Sequence, residues 1–393
     1  MRSPRPVAVT GLGCICAAGT NLAACLDTLY RGERAPQPPA RFHSDHPVRY
    51  PVFAAAAELP GGERLGRTAR LAIVAAREAV ADAGWSPAAL AGRRVGVIVG
   101  TTVGSAMNNE DFYADYLRGG EPPLAQIERF LGSNPATAVA RDLGLTGPCQ
   151  TVVNACSSGT DAVGIGAAWI RAGECDLVLA GGADELCRIT YNGFISLMIT
   201  DDAPVRPFDR RRKGLNLGEG AGFLLLEADG LRADRPPRAF VAGYGSACDA
   251  HHLTAPHPEG AGLKRALAEA LDQCGAAAAD LAFVNAHGTG TPDNDRIESR
   301  TLAVTLPGVP FLSTKGYTGH TLGASGAIEA AFTVAALERG EVPANAGFGE
   351  ADPQCPATPV TANTPVRGEF ALSQSLAFGG NNAVVVFRKG GAR

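Results

Sequence analysis

The chain of 393 residues sets 35 Lys and Arg against 39 Asp and Glu, a formal charge of −4, and 46% of its residues are hydrophobic. So balanced a charge excludes a generic nucleic-acid binder, while the apolar share suits a large buried interior. The length exceeds what one compact core uses, so two domains or two closely packed halves are expected.

The start, Met1-Arg2-Ser3-Pro4-Arg5-Pro6, leads only into a short apolar run interrupted by glycines, so no secretory signal is expected. No run of about 18 apolar residues occurs, so no membrane span is expected. Ten cysteines at irregular spacing read as reduced thiols of a cytosolic protein, not as a disulfide framework.

In chain order, Pro6–Val9, Val95–Val99, Gln150–Val153, Leu177–Leu179 and Phe223–Leu226 are predicted as short buried strands. Arg67–Ala83 and Gly159–Ala172 carry apolar residues at helical spacing. After Pro236-Pro237 the pattern restarts, with Leu263, Leu267 and Leu271 on one helical face. Leu281–Asn285 and Phe311–Ser313 follow as strands, Gly323–Leu337 as a helix, and Ala371–Leu376 with Ala383–Phe387 as a closing strand pair. The alternation is that of an α/β fold with mainly buried sheets, in two halves that meet near residue 235. Gly11-Leu12-Gly13 lacks the third glycine of a dinucleotide fingerprint and is read as a tight turn at a strand end. Cys14 and Cys16 have no further Cys or His pair at metal-ligand spacing, so no metal site is expected.

Three segments carry chemistry. Asn154-Ala155-Cys156-Ser157-Ser158-Gly159 sets a thiol between a short strand and a helix built of small residues. The helix N-terminus favours thiolate there, and the small residues leave room for an incoming chain and for oxyanion-donating amides. Asn285-Ala286-His287-Gly288-Thr289-Gly290-Thr291 puts an imidazole at the end of a strand, where α/β proteins often place chemistry. Ser313-Thr314-Lys315-Gly316-Tyr317-Thr318-Gly319-His320 adds a lysine and a second imidazole before a helix. Any one of these alone reads as a buried cysteine, a hydrogen-bonded histidine or a solvated lysine. Together they are a set of parts for acyl transfer through a thioester.

Arg206-Pro207-Phe208-Asp209, Gly218-Glu219-Gly220-Ala221-Gly222 and Phe378-Gly379-Gly380-Asn381-Asn382 complete the pattern. From Val7 to Asn382 the chain resembles β-ketoacyl-acyl-carrier-protein synthases of the Cys-His-His type, within the thiolase-fold superfamily. The resemblance implies a thiolase-like five-layered αβαβα fold of two similar halves, residues 1–235 with the cysteine and 236–393 with both histidines. It implies that Cys156 accepts the acyl group and that His287 and His320 stabilise the enolate left when malonyl-carrier protein loses CO₂. Lys315 with Glu329 matches a supporting charge pair, and the amides of Cys156 and Phe378 an oxyanion hole.

The same resemblance assigns Thr289 and Thr291 to the pantetheine arm, Phe378 to an aromatic gate, and Asp249, His252 and Thr254 to a mobile loop beside it. Val103 matches a position associated with chain length, and Arg212 one that meets the acidic carrier protein. The enzyme itself holds no cofactor on this reading, because phosphopantetheine arrives on the carrier. Members are dimers, so a second copy or a chain-length-factor subunit is expected as partner, in the cytoplasm. Chain-length factors usually carry Gln at the nucleophile position, so Cys156 reads as the mark of a catalytic subunit.

Several positions depart from the fatty-acid enzymes. Arg212-Lys213-Gly214-Leu215-Asn216 stands where Arg-Asp-Gly-Phe-Val is common, and Asp161 replaces a common histidine. Ala377 stands where a glycine is thought to let the gate move, and Ala resists φ > 0. These differences favour type II polyketide or polyene duty over housekeeping fatty-acid elongation.

Overall fold

A computed structural model describes residues 5–55, 58–60, 62–232 and 234–391. Its strands are β1 (Val7–Cys16), β2 (Val95–Gly100), β3 (Cys149–Val152), β4 (Leu177–Asp184), β5 (Gly220–Ala228), β6 (Ala239–Cys248), β7 (Leu281–Asn285), β8 (Phe311–Leu312), β9 (Glu341–Val342), β10 (Thr364–Pro365), β11 (Phe370–Ala377) and β12 (Asn381–Lys389). β9 and β10 pair only with each other. The other ten form a sheet in the order β3-β2-β4-β5-β1-β6-β12-β11-β7-β8.

Between β1 and β6 only Ala8 with Phe240 and Val9 with Ala239 are in register. On either side of that seam the pattern repeats. Numbered within its own half, each run of five strands reads 3-2-4-5-1 from edge to seam. In both halves the first two pairings are parallel and the last two antiparallel.

The helices Ser158–Ala172 and Ser325–Arg339 lie against each other and against strands of both halves. Arg67–Asp82 covers the outer face of the first half and Ala261–Cys274 that of the second, giving the five layers αβαβα. Ser325–Arg339 is buried from Ser325 through Leu337, all the way round, because it is a middle layer. Strands β2, β4 and β5 are buried at every position, as sheets covered on both faces must be.

The predicted strands and helices are present, mostly longer than the apolar runs that marked them, but β3, expected to be buried, is an exposed to half-buried edge strand. Gly11-Leu12-Gly13 is not a turn: β1 runs through it to Cys16. A Cβ at Gly11 would stand 2.0 Å from the Ala79 carbonyl oxygen, and one at Gly13 the same from Ala75. The two glycines let the helix Arg67–Asp82 lie directly on the strand. Cys14 and Cys16 gain a third thiol, Cys25 from the helix Leu22–Arg31, whose sulfur is 3.6 Å from Cys16 and 3.9 Å from Cys14. All three are buried in the main apolar cluster. Among the described residues no helix is long and apolar enough to cross a membrane.

Candidate active site

Beyond β3 the chain turns through Asn154–Ser157 and enters the helix at Ser158. Ala155 sits at φ 48°, a left-handed conformation that costs an L-residue about 1–2 kcal/mol. Hydrogen bonds hold it there. Ser158 Oγ donates to the Ala155 carbonyl at 2.6 Å and accepts from Asn154 N–H at 2.8 Å, and Thr102 Oγ1 donates to the same carbonyl at 3.2 Å. This elbow buries Cys156 with its Sγ 3.1 Å from His320 Nε2 and within reach of the Phe378 backbone N–H.

Burial pushes the Cys156 thiol up to about 12, against the pull of the Lys315 charge and the Phe378 amide. The helix end expected to favour thiolate is therefore outweighed by burial, and the thiol stays protonated near neutrality. Alkylation of Cys156 by iodoacetamide should then climb about tenfold per pH unit from neutral into alkaline solution. A rate that levels off near neutrality would reveal a thiolate–imidazolium pair instead.

His287 directly follows β7 through Ala286. Its backbone N–H and that of Gly288 donate to the two carboxylate oxygens of buried Glu298, at 2.6 and 2.7 Å. Lys315 reaches the same residue from behind. Its Nζ donates to the His287 carbonyl at 2.6 Å, stands 3.2 Å from His287 Nδ1 and pairs with Glu329, which also accepts from Ser325 Oγ at 3.0 Å. An ammonium group only donates, so Nδ1 must accept and the ring proton lies on Nε2. Burial first, then the Lys315 charge, depresses both His287 and His320 well below the usual histidine range. Two neutral rings, with centroids 5.2 Å apart and nearly perpendicular, thus face the thiol as uncharged hydrogen-bonding groups.

Cys156, His287 and His320 line one cavity of about 340 Å³, with Thr289, Thr291 and Phe378 around them. The hydroxyls of Thr289 and Thr291 are 2.9 Å apart. Phe378 stacks on Phe194, with centroids 5.5 Å apart, and closes one side. The loop after β6 holds that gate: Gly379 N–H donates to the Leu253 carbonyl at 2.7 Å and Asp249 N–H to that of Gly380 at 2.7 Å. Asp249 and Thr254 line the cavity. His252 lies on the exposed side of the loop, where its Nδ1 accepts from Thr254 N–H at 3.1 Å. Ala377 is extended at φ −118°, a conformation alanine takes freely, and the left-handed residues of the turn are Gly379 and Gly380.

One expected position falls differently. Arg212 is not a surface cation: its side chain is 4% exposed and pairs with Asp352 at 2.6 Å while donating to the Pro292 carbonyl. A guanidinium so enclosed ties the Phe208–Lys213 segment to the second half, and it is the next residue, Lys213, that reaches the cavity, 71% exposed. Val103 sits behind the nucleophile elbow, half-buried, where its N–H donates to Asp184 at 3.2 Å.

Sequence reasoning named Glu329 but passed over other buried carboxylates. Asp184, raised to about 6 by burial, accepts from Thr101 Oγ1, Thr102 N–H and Gly323 N–H, tying the loop after β2 to the one after His320. Glu298 and Asp295 lie one turn apart on the helix Pro292–Thr305, whose many buried polar residues hide its helical period. The only available signal was acidic residues just beyond strand ends that carry chemistry.

Comparison with known proteins agrees with this geometry. The family described as Beta-ketoacyl synthase, N-terminal domain, matches residues 4–230, and its C-terminal domain matches 238–349. The tetracenomycin polyketide synthase ketoacyl synthase alpha subunit of Streptomyces glaucescens is 34% identical, over 98% of this chain and 97% of its own. The 3-oxoacyl-[acyl-carrier-protein] synthase 2 of Synechocystis sp. is also 34% identical, over 98% of both chains. Among solved structures, the ishigamide ketosynthase/chain length factor superposes with a TM-score of 0.93 at 32% identity, over 99% of this chain and 100% of its own. A thiol and two neutral imidazoles in one cavity, on a fold matched from end to end, make this chain a member of the β-ketoacyl synthase family.

Proposed function

We propose that Cys156 takes an acyl group from an acyl carrier protein and that the chain then condenses it with a malonyl unit, as the catalytic ketosynthase of a type II polyketide or polyene system. The observation that carries this reading is the 3.1 Å approach of Cys156 Sγ to His320 Nε2, beside a His287 whose proton is held on Nε2.

In the first step the Cys156 sulfur attacks the acyl thioester, and the carrier's thiol leaves with the proton. The amides of Cys156 and Phe378 hold the oxyanion. In the second, the bond from the malonyl carbon to its carboxylate breaks, CO₂ departs, and the electron pair becomes an enolate. Nε2–H of His287 and the neutral ring of His320 stabilise that oxygen where charge develops, which is the point of largest electrostatic benefit. The enolate carbon then attacks the acyl-Cys156 carbonyl and expels the thiolate, releasing a β-ketoacyl chain on the carrier. Phosphopantetheine belongs to that carrier, and its arm passes Thr289 and Thr291. Lys213, which lines the cavity and pairs with exposed Asp202 at 3.6 Å, is the cation proposed to meet its phosphate or an acidic carrier surface.

The chain divides near residue 235 into a thiol-bearing and an imidazole-bearing half, a reading supported by the repeated strand order. A chain-length-factor subunit is the proposed partner. Exposed Tyr113, Tyr116, Leu117, Leu124 and Leu131 lie together in sequence, and Val153 is exposed beside edge strand β3, surface suited to a subunit contact. Work in the cytoplasm fits this chemistry. The equal identity of the Synechocystis relative favours fatty-acid elongation as the second reading. A non-catalytic subunit is disfavoured by an intact thiol in contact with its imidazole.

The test offers acyl-carrier proteins of graded chain length and malonyl-carrier protein, with and without a candidate partner subunit, and follows both proteins by mass spectrometry. Acyl mass on Cys156 followed by a β-keto product two carbons longer is expected. The absence of acylation with every primer would reject the reading.

A further inference from the structure

Asp161 is the buried acid of the nucleophile helix, and neither acyl transfer nor decarboxylation uses it directly. Its Oδ2 accepts from Asn154 Nδ2 at 2.7 Å and from Ser157 Oγ at 2.9 Å. Ser157 Oγ also lies 2.9 Å from the Asn154 carbonyl, but a hydroxyl has one proton and the charged acceptor takes it. Asn154 and Ser157 bracket the strained Ala155 and Cys156, so one carboxylate grips both sides of the elbow.

Its other oxygen looks across the molecule. Oδ1 accepts from Tyr244 Oη at 2.7 Å, and Tyr244 belongs to β6, in the other half. The ring fits because the helix has glycine at 164, where a Cβ would stand 2.3 Å from it. The preceding residue makes a second crossing: Thr160 Oγ1 is 2.9 Å from Ser375 Oγ, on the strand β11 that runs into Phe378. The two amides proposed for the oxyanion hole come from opposite sides of this junction, Cys156 from the elbow and Phe378 from the end of β11.

We propose that Asp161 is a positioning residue that registers the Cys156 amide against the Phe378 amide, by clamping the elbow at Asn154 and Ser157 and anchoring it to Tyr244. The inference rests on the reading of Cys156 as the acyl-accepting thiol. A small displacement of one donor from the oxyanion is costly, because two preorganised N–H groups must converge on one atom.

Two reactions of the same sulfur separate this role from a general structural one. Acyl transfer from an acyl-pantetheine thioester passes through an oxyanion, whereas alkylation by iodoacetamide displaces iodide and forms none. In Asp161→Asn the amide nitrogen must face a donor, and in Tyr244→Phe the anchor is gone. Both variants are expected to slow acyl transfer about ten- to a hundredfold while alkylation stays near the rate of the unaltered enzyme. Acyl transfer at the unaltered rate, or the same loss in both reactions, would overturn the proposal. Should Asp161→Asn not fold, Tyr244→Phe carries the test alone, since it removes one hydroxyl from a half-buried ring. Failure of the unaltered enzyme to acylate, with alkylation at Cys156 intact, would sink the acyl-acceptor reading and this inference with it.

Discussion

His287→Ala is expected to leave acyl transfer to Cys156 close to the parent rate while condensation falls by about 10²–10³ or more. The asymmetry follows from the geometry. Acyl transfer needs the sulfur and the two backbone amides, and His287 touches neither. Decarboxylation builds charge on a thioester oxygen, and the Nε2–H that Lys315 fixes on His287 is lost with the ring. His320→Ala should lose condensation as severely, with a larger effect on acyl transfer, because its Nε2 is 3.1 Å from the sulfur. Rapid quenching and mass spectrometry would time the acyl-enzyme and the β-keto product separately. An equal loss of both steps in His287→Ala would contradict the division of labour.

The largest effect on stability is expected at Lys315. It is 1% exposed, and its partner Glu329 is 2% exposed. Burial raises the Glu329 carboxyl, and the lysine is what holds it down. Lys315→Met would strand that carboxyl with only Ser325 Oγ beside it, which costs about 3–5 kcal/mol for a buried pair broken on one side. With about 2.1 cal/mol/K of unfolding entropy per residue, a chain of 393 residues shifts by about 1 °C per kcal/mol, so Tm should fall by about 4–6 °C. The double variant Lys315→Met, Glu329→Gln should recover most of that loss, because no charge is left buried. It should not recover condensation, since nothing then fixes the His287 tautomer. A single variant as stable as the parent, by calorimetry, would mean that Glu329 is protonated in the folded state.

Much of this was legible in the chain. The elbow, the two imidazole segments and the lysine stand out because each pairs a reactive group with glycines and threonines at a strand end. Buried strands such as β2 and β7 are apolar at nearly every position, so their bounds were close. Strand β6 was missed because Gly243 and Gly245, which a helix lies upon, break up its apolar residues. Arg212 was misjudged for a different reason. A cluster of basic residues carries no sign of which one turns inward, and the partner that buries it, Asp352, lies 140 positions away. The same distance problem hid Tyr244 from Asp161, and Cys25 escaped because contact between a helix and a strand is not written in spacing.

The repeated strand order has a consequence for how the enzyme comes into being. Among the described residues β12 comes after every other strand in the chain, yet it lies in the interior of the sheet, between β6 and β11. Until it slots in, the second half has a gap beside the seam, and Phe378, which precedes it, has no fixed position. Placement of the Phe378 amide beside Cys156 therefore depends on β12 pairing with β11 and β6 in the sheet.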